Sequence, residues 1–302
     1  MITGLRPLST SELLDRTFHL YRNHFWTFVG IAAIPQLLIL PLTLGGAALF
    51  MRRDYIWSPL LTFAGYLLFY VVIFLSQAPT VVAVSNLERQ KPAGIGSSFK
   101  GAGKSLLRVF CIVLQLYIAS AIIVGGGGAL IVFIIAMIAE VAPKALTVAA
   151  AIVLSVPALY FAIRWMLGWA LIIPVTVLEG GWFLSSMRRS LHLSKGSRGR
   201  IFVIYFLMGI FGFVVGILVE FLLMLSLAFL NIRDPRMMTG VFQAVWAICI
   251  FLSTSLVGGL ATIALSLVYY DQRVRKEAFD LQLMMTTLES PKSNNVSVST
   301  SG

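Results

Sequence analysis

Residues 160–200 read YFAIRWMLGWALIIPVTVLEGGWFLSSMRRSLHLSKGSRGR. An apolar run carrying one arginine (Arg164) ends at an acid (Glu179), and a basic amphipathic segment then leads into the next apolar run. A backbone inside hydrocarbon has no water to bond, so its N–H and C=O groups must satisfy each other within a helix. The apolar runs therefore read as membrane-spanning helices, and the polar segment between them as lying at a lipid surface. The same plan recurs on either side of this stretch.

Composition agrees with that reading across the whole chain. Of 302 residues, 59% are hydrophobic and 12% charged, with a mean hydropathy of +0.92. Soluble domains are about a quarter charged, so this is a polytopic membrane protein. Glu12 and Asp15 interrupt the region before the first apolar run; no removable signal peptide is expected, and the N-terminus should be retained. Cys111 and Cys249 fall inside apolar runs without thiol–metal spacing and read as small core residues. The net charge of +11 would suggest nucleic acid in a soluble chain. Here its distribution matters more, and no nucleic-acid partner is expected.

Six apolar runs are found, at about 25–50, 56–85, 107–139, 145–178, 201–230 and 241–270. Each meets the roughly 20 residues that a hydrocarbon core requires of a helix. Pro35 and Pro41 should kink the first. Four amphipathic segments flank the runs. In the first, Ser9 and Glu12 form a capping-box pattern, and Leu14, Phe18, Tyr21 and Phe25 share a face opposite Glu12, Asp15, Arg16, His19 and Arg22. The second sets Ile95, Phe99, Ala102 and Leu106 against Lys100, Lys104 and Arg108. In the third, Leu184, Met187 and Leu191 face inward, Arg188, Arg189, His192 and Lys195 outward, and Gly196 stops the helix. The fourth follows Tyr270, with Val274, Ala278, Leu281 and Met285 on one face and Asp271–Arg275 and Lys276–Asp280 as four-residue pairs. Residues 286–302 are rich in Ser, Asn and Thr and read as a disordered cytoplasmic tail.

Glu88, Glu179 and Asp271 mark the ends of successive units 91 and 92 residues apart, each holding one interfacial helix and two spans. Two crossings return the chain to its starting side, so the units (about 9–88, 89–179 and 180–271) share one orientation. The expected fold is an all-α integral membrane bundle of six transmembrane helices in three parallel repeats. Counted by side, 17 of the 23 Lys and Arg fall in the N-terminal, longer connecting and C-terminal segments, against 5 in the three short turns. The positive-inside rule then puts both termini in the cytoplasm, with the plasma membrane as the expected location.

With Arg164, Pro174, Glu179 and the basic segment MRRSLHLSKG (187–196), the chain resembles the glycerophosphoryl diester phosphodiesterase membrane domain family. The N-terminal LLDRTFHLYRNHFW and the closing YYDQRVRKEAFDL are similar too, although Ala278 stands where that family often has glycine. The likeness covers nearly the whole chain. It implies a stand-alone membrane domain of uncharacterised activity, with no phosphodiesterase barrel.

Arg164 is the sharpest candidate, because an ionised guanidinium at mid-membrane costs roughly 3 kcal/mol on insertion scales; it should face protein or water. Glu220 is the one acid deep within a run, at a depth that differs from that of Arg164 by roughly 13 Å at 1.5 Å per residue, so no direct contact is expected. Lys100, Lys104, Arg108, Arg188, Arg189, Lys195 and Arg198 are candidate contacts for anionic head groups, each surface cation adding about 1 kcal/mol. Gly125 to Gly128 read as a close-packing site for a neighbouring helix, with a hinge or pore constriction as the alternative. The stretch SFKGAGKS (98–105) approaches a phosphate loop, but Ser98 replaces the first glycine and no strand precedes it. The three histidines stand apart from any carboxylate cluster, so no metal or cofactor is expected. The leading expectation is a non-catalytic scaffold or accessory at the cytoplasmic leaflet, with the lipid bilayer as partner and phospholipid handling implied by the resemblance alone. The alternative is a small-solute transporter or channel with a central path near Arg164 and Glu220.

Overall fold

The computed structural model describes residues 8–52, 56–228 and 234–277, together with Met285. Among these, all regular structure is helical: α1 (Thr10–Asn23), α2 (Phe25–Leu37), α3 (Leu40–Met51), α4 (Trp57–Glu88), α5 (Ile95–Ser120), a π-helical stretch (Ala121–Gly126), α6 (Gly127–Val141), α7 (Lys144–Gly168), α8 (Ile172–Glu179), α9 (Phe183–Ser194), α10 (Arg198–Ala228) and α11 (Pro235–Glu277). Five stretches are long and apolar enough to cross a membrane: Trp57–Glu88, Ile95–Val141, Lys144–Glu179, Arg198–Leu225 and Met237–Glu277. The pair α2 and α3 meets the same test jointly, bent by 46° at a break flanked by Pro35 and Pro41. The chain is thus a multi-pass, all-helical membrane protein.

Local chemistry accounts for several boundaries. Ser9 caps α1, its hydroxyl accepting from the Glu12 amide while a Glu12 carboxylate oxygen accepts from the Ser9 amide at 2.7 Å. Gly196 follows α9 at φ +85°, a left-handed position that favours glycine. The second amphipathic segment is no separate helix, because nothing between Gly103 and Leu107 breaks it, and α5 runs through from Ile95. The SFKGAGKS stretch lies inside α5. Of the fourth segment, α11 describes residues to Glu277 and contains the Asp271–Arg275 pair at 2.9 Å; Ala278, Asp280, Leu281 and the tail 286–302 lie outside the described residues.

The core sits where α4, α8 and α11 come together. Ala83 and Val84 of α4, Val175 of α8 and Leu260, Ile263, Ala264 and Val268 of α11 are buried with Leu13, Phe28 and Ile204 from α1, α2 and α10. A second cluster joins Ala78 and Val81 of α4 to Ala102, Val109 and Ile112 of α5 and Ile172 of α8. Of these helices, α4 finishes at Glu88 and α8 at Glu179, and α11 carries Asp271 shortly before its end at Glu277.

Two amphipathic faces are rotated from their expected settings. In α1 the buried residues are Leu13 and Thr17, whereas Phe18 is 38% exposed. Thr17 can be buried because its hydroxyl donates to the Leu13 carbonyl at 2.7 Å, leaving no polar group unsatisfied. In α9 the buried residues are Ser186, Ser190, Leu193 and Ser194, while Leu184 is 63% exposed. Ser190 and Ser194, whose hydroxyls bond to the Gly168 carbonyl, let α9 approach α7 more closely than leucines would. The expectation for Gly125 to Gly128 is overturned outright: a Cβ on any of the four would meet nothing within 4 Å. No residue of α6 is buried, and in α7 only Gly168 is, so these glycines border open space instead of a packed neighbour.

Candidate functional site

Charge is concentrated at the ends of α4, α8 and α11. The Arg16 guanidinium of α1 meets Glu88 at 2.5 Å. Arg108 of α5 donates to the carbonyl of Gly180, next to Glu179, at 2.8 Å. Arg200 of α10 meets Asp271 at 2.6 Å. These three arginines stand 92 residues apart in succession, and each reaches 72, 72 and 71 residues onward to its acceptor. Asp271 is fully buried and also accepts from Arg275 at 2.9 Å and from the Leu8 amide at 2.7 Å. A carboxylate removed from water is tolerated only with such complete pairing.

Around Glu179 a wider network forms. Its carboxylate accepts from Tyr269 at 2.8 Å and from Arg189 Nε at 3.0 Å. Arg189 turns its other nitrogen to Glu277 at 2.5 Å, and Glu277 accepts from Arg273 at 3.2 Å. Burial works against the Arg189 charge, but hydrogen bonding to Glu179 and the field of both carboxylates more than offset it; its guanidinium holds its proton above the ordinary arginine range. Lys276 completes the assembly by donating to the carbonyls of His192 and Lys195, at 2.6 and 2.8 Å. Together these bonds tie α8, α9 and α11 into one unit.

The candidate head-group contacts therefore divide. Lys100, Lys104, Arg188 and Lys195 project outward and are exposed. Arg108 and Arg189 are committed to internal bonds. Arg198 is half-buried, with a buried Nε that makes no hydrogen bond.

Arg164 is exposed and forms no ion pair or hydrogen bond among the described residues. α7 stops one turn later at Gly168, within the stretch Lys144–Glu179. Ser190 and Ser194 of α9 donate to the Gly168 carbonyl at 2.9 and 3.2 Å, which satisfies a helix end that would otherwise be orphaned. The amphipathic helix thus lies across the chain one turn from Arg164. A Cβ on Gly168 would come within 3.6 Å of an Arg198 Nη, so the Arg198 guanidinium lies over that same turn. Both arginines line a groove of about 740 Å³ whose walls include Gly127, Gly128, Ile131, Leu159 and Trp165 and no acidic residue. Glu220 is not among the lining residues; it is half-buried in α10, near Cys249 of α11.

Sequence reasoning marked Arg164 and Arg198 but not their shared groove, and it missed Arg16, Arg200, Tyr269 and Arg273. The 92-residue spacing of Arg16, Arg108 and Arg200 was the available signal for two of these. Among protein-family models, characterised proteins and solved structures, none matches this chain.

Proposed function

We propose that the chain is a non-catalytic membrane scaffold or accessory at the cytoplasmic leaflet, built from six crossings in three like-facing repeats with both termini inside. The observation that carries this reading is the recurrence of an arginine clasp at matching intervals: Arg16 on Glu88, Arg108 on the Gly180 carbonyl and Arg200 on Asp271. A repeat of contacts at fixed spacing supports a shared unit more strongly than recurring acids alone. The exposed cations Lys100, Lys104, Arg188 and Lys195 supply a basic collar suited to an anionic leaflet. The resemblance to the glycerophosphoryl diester phosphodiesterase membrane domain adds a link with phospholipid handling. In the transport alternative, one path would have to join Arg164 to Glu220, and the groove at Arg164 does not include Glu220.

Topology is the part most open to test. With Cys111 and Cys249 replaced by serine, a single cysteine is placed at Lys100 or at Lys195, and intact cells are treated with a membrane-impermeant thiol reagent. Labelling is expected only after lysis. Reaction of either cysteine in intact cells would overturn the orientation and the scaffold reading with it.

A further inference from the structure

We propose that the groove between α6 and α7 binds one anionic phospholipid, its phosphate held by Arg164 and Arg198 and an acyl chain lying along Gly127, Ile131 and Leu159. The inference deepens the scaffold reading and relies on it for the placement of the chain in a bilayer.

Three observations select this occupant. The groove is apolar along most of its length but carries two guanidiniums at the α7 end. Neither is neutralised: no acid lines the groove, Arg164 has no partner among the described residues, and the Arg198 Nε is buried without a hydrogen bond. Two uncompensated cations beside hydrocarbon are costly until an anion joins them, and an arginine fork matches phosphate oxygens in pairs. The third observation is the pair Gly127 and Gly128 in the groove wall, where missing side chains leave space that no protein atom fills. At about 740 Å³ the groove falls within the range of about 300–1,000 Å³ found for small-molecule sites. A ligand with an anionic head and an apolar tail satisfies both ends at once. A soluble anion would leave the apolar length empty, and a zwitterionic lipid would set its own cation against the arginines.

Native mass spectrometry of the full chain, released from nanodiscs of equal phosphatidylglycerol and phosphatidylcholine, tests this directly. The wild type should retain one phosphatidylglycerol in preference to phosphatidylcholine. Arg164→Gln and Arg198→Gln should each lower that retention roughly fivefold. Gly128→Leu should abolish it with both charges intact, since its side chain enters open space; this variant decides the matter if the arginine variants do not fold. Lys100→Gln with Lys104→Gln, in the exposed collar, should lower retention less than either arginine variant. Equal retention of the two lipids, or wild-type retention by Gly128→Leu, would overturn the proposal. Equal losses in the lysine and arginine variants would assign binding to the basic collar, removing the groove while leaving the scaffold reading intact. A dimer that Gly128→Leu splits would make the groove an interface between copies and also overturn it.

Discussion

The clasped ends of α4, α8 and α11 and the hairpin of α6 and α7 come from sequence of similar hydropathy, yet they pack in opposite ways. At the clasped end, aliphatic residues are buried between helices and every carboxylate is paired. In the hairpin, Phe133, Met137, Leu159 and Phe161 are all exposed. The difference shows what stabilises helices when the surroundings are apolar. Exposed aliphatic side chains carry no penalty in lipid, so hydrophobic burial does not draw the hairpin inward; close association needs small residues or polar bonds. The clasped end has both, in Ser190, Ser194, Gly168 and the arginine–carboxylate pairs. The hairpin has small residues at Gly125 to Gly128 but no helix seated on them.

Four variants would break or sharpen that contrast. Asp271→Asn, which strips the buried charge from Arg200 and Arg275, should produce the largest loss, about 3–5 kcal/mol, read as a lower unfolding transition in detergent. Removing both hydroxyls with Ser190→Ala and Ser194→Ala leaves the Gly168 carbonyl unsatisfied and should cost about 1–3 kcal/mol; cysteine crosslinking between α7 and α9 should weaken in parallel.

Tyr21→Phe removes a hydroxyl that donates to the Leu256 carbonyl and should cost about 1 kcal/mol at neutral pH. It should also alter the alkaline response. Burial pushes the Tyr21 phenol up to about 12 from its ordinary value of 10.0, so the neutral form is favoured in the folded protein. That contribution is complete below pH 10 and disappears as pH rises toward 12. Denaturation followed across this window should therefore fall less steeply in the phenylalanine variant; parallel curves would show that Tyr21 is not the titrating group. In the hairpin, Gly126→Ala should act with the opposite sign. Its Cβ enters open space, so helix propensity alone should stabilise by about 0.5–1 kcal/mol, and a loss in thermal unfolding would reveal a packed neighbour there.

Much of the helical architecture was legible because apolar length and proline position act locally. The Ser9 cap, the Gly196 stop and the bend between Pro35 and Pro41 all follow from residues within a turn or two of the feature. Which face of α1 or α9 turns inward was not legible. Thr17, Ser190 and Ser194 count as polar in any periodicity, but once each hydroxyl bonds to a nearby carbonyl its residue packs as a small apolar one. The site residues divided in the same way. Arg108 and Arg189 look like surface cations until Gly180, Glu179 and Glu277 are brought to them.

By itself, the chain's order of residues determined that it is helical, that it belongs in a membrane and where its charged ends fall, because hydrocarbon obliges each apolar stretch to satisfy its own backbone. Only the tertiary structure decided that α4, α8 and α11 form the core, that three arginines reach acceptors some seventy residues onward, and that Arg164 and Arg198 share a groove. Those outcomes depend on distances between helices far apart in the chain, and no local periodicity encodes them.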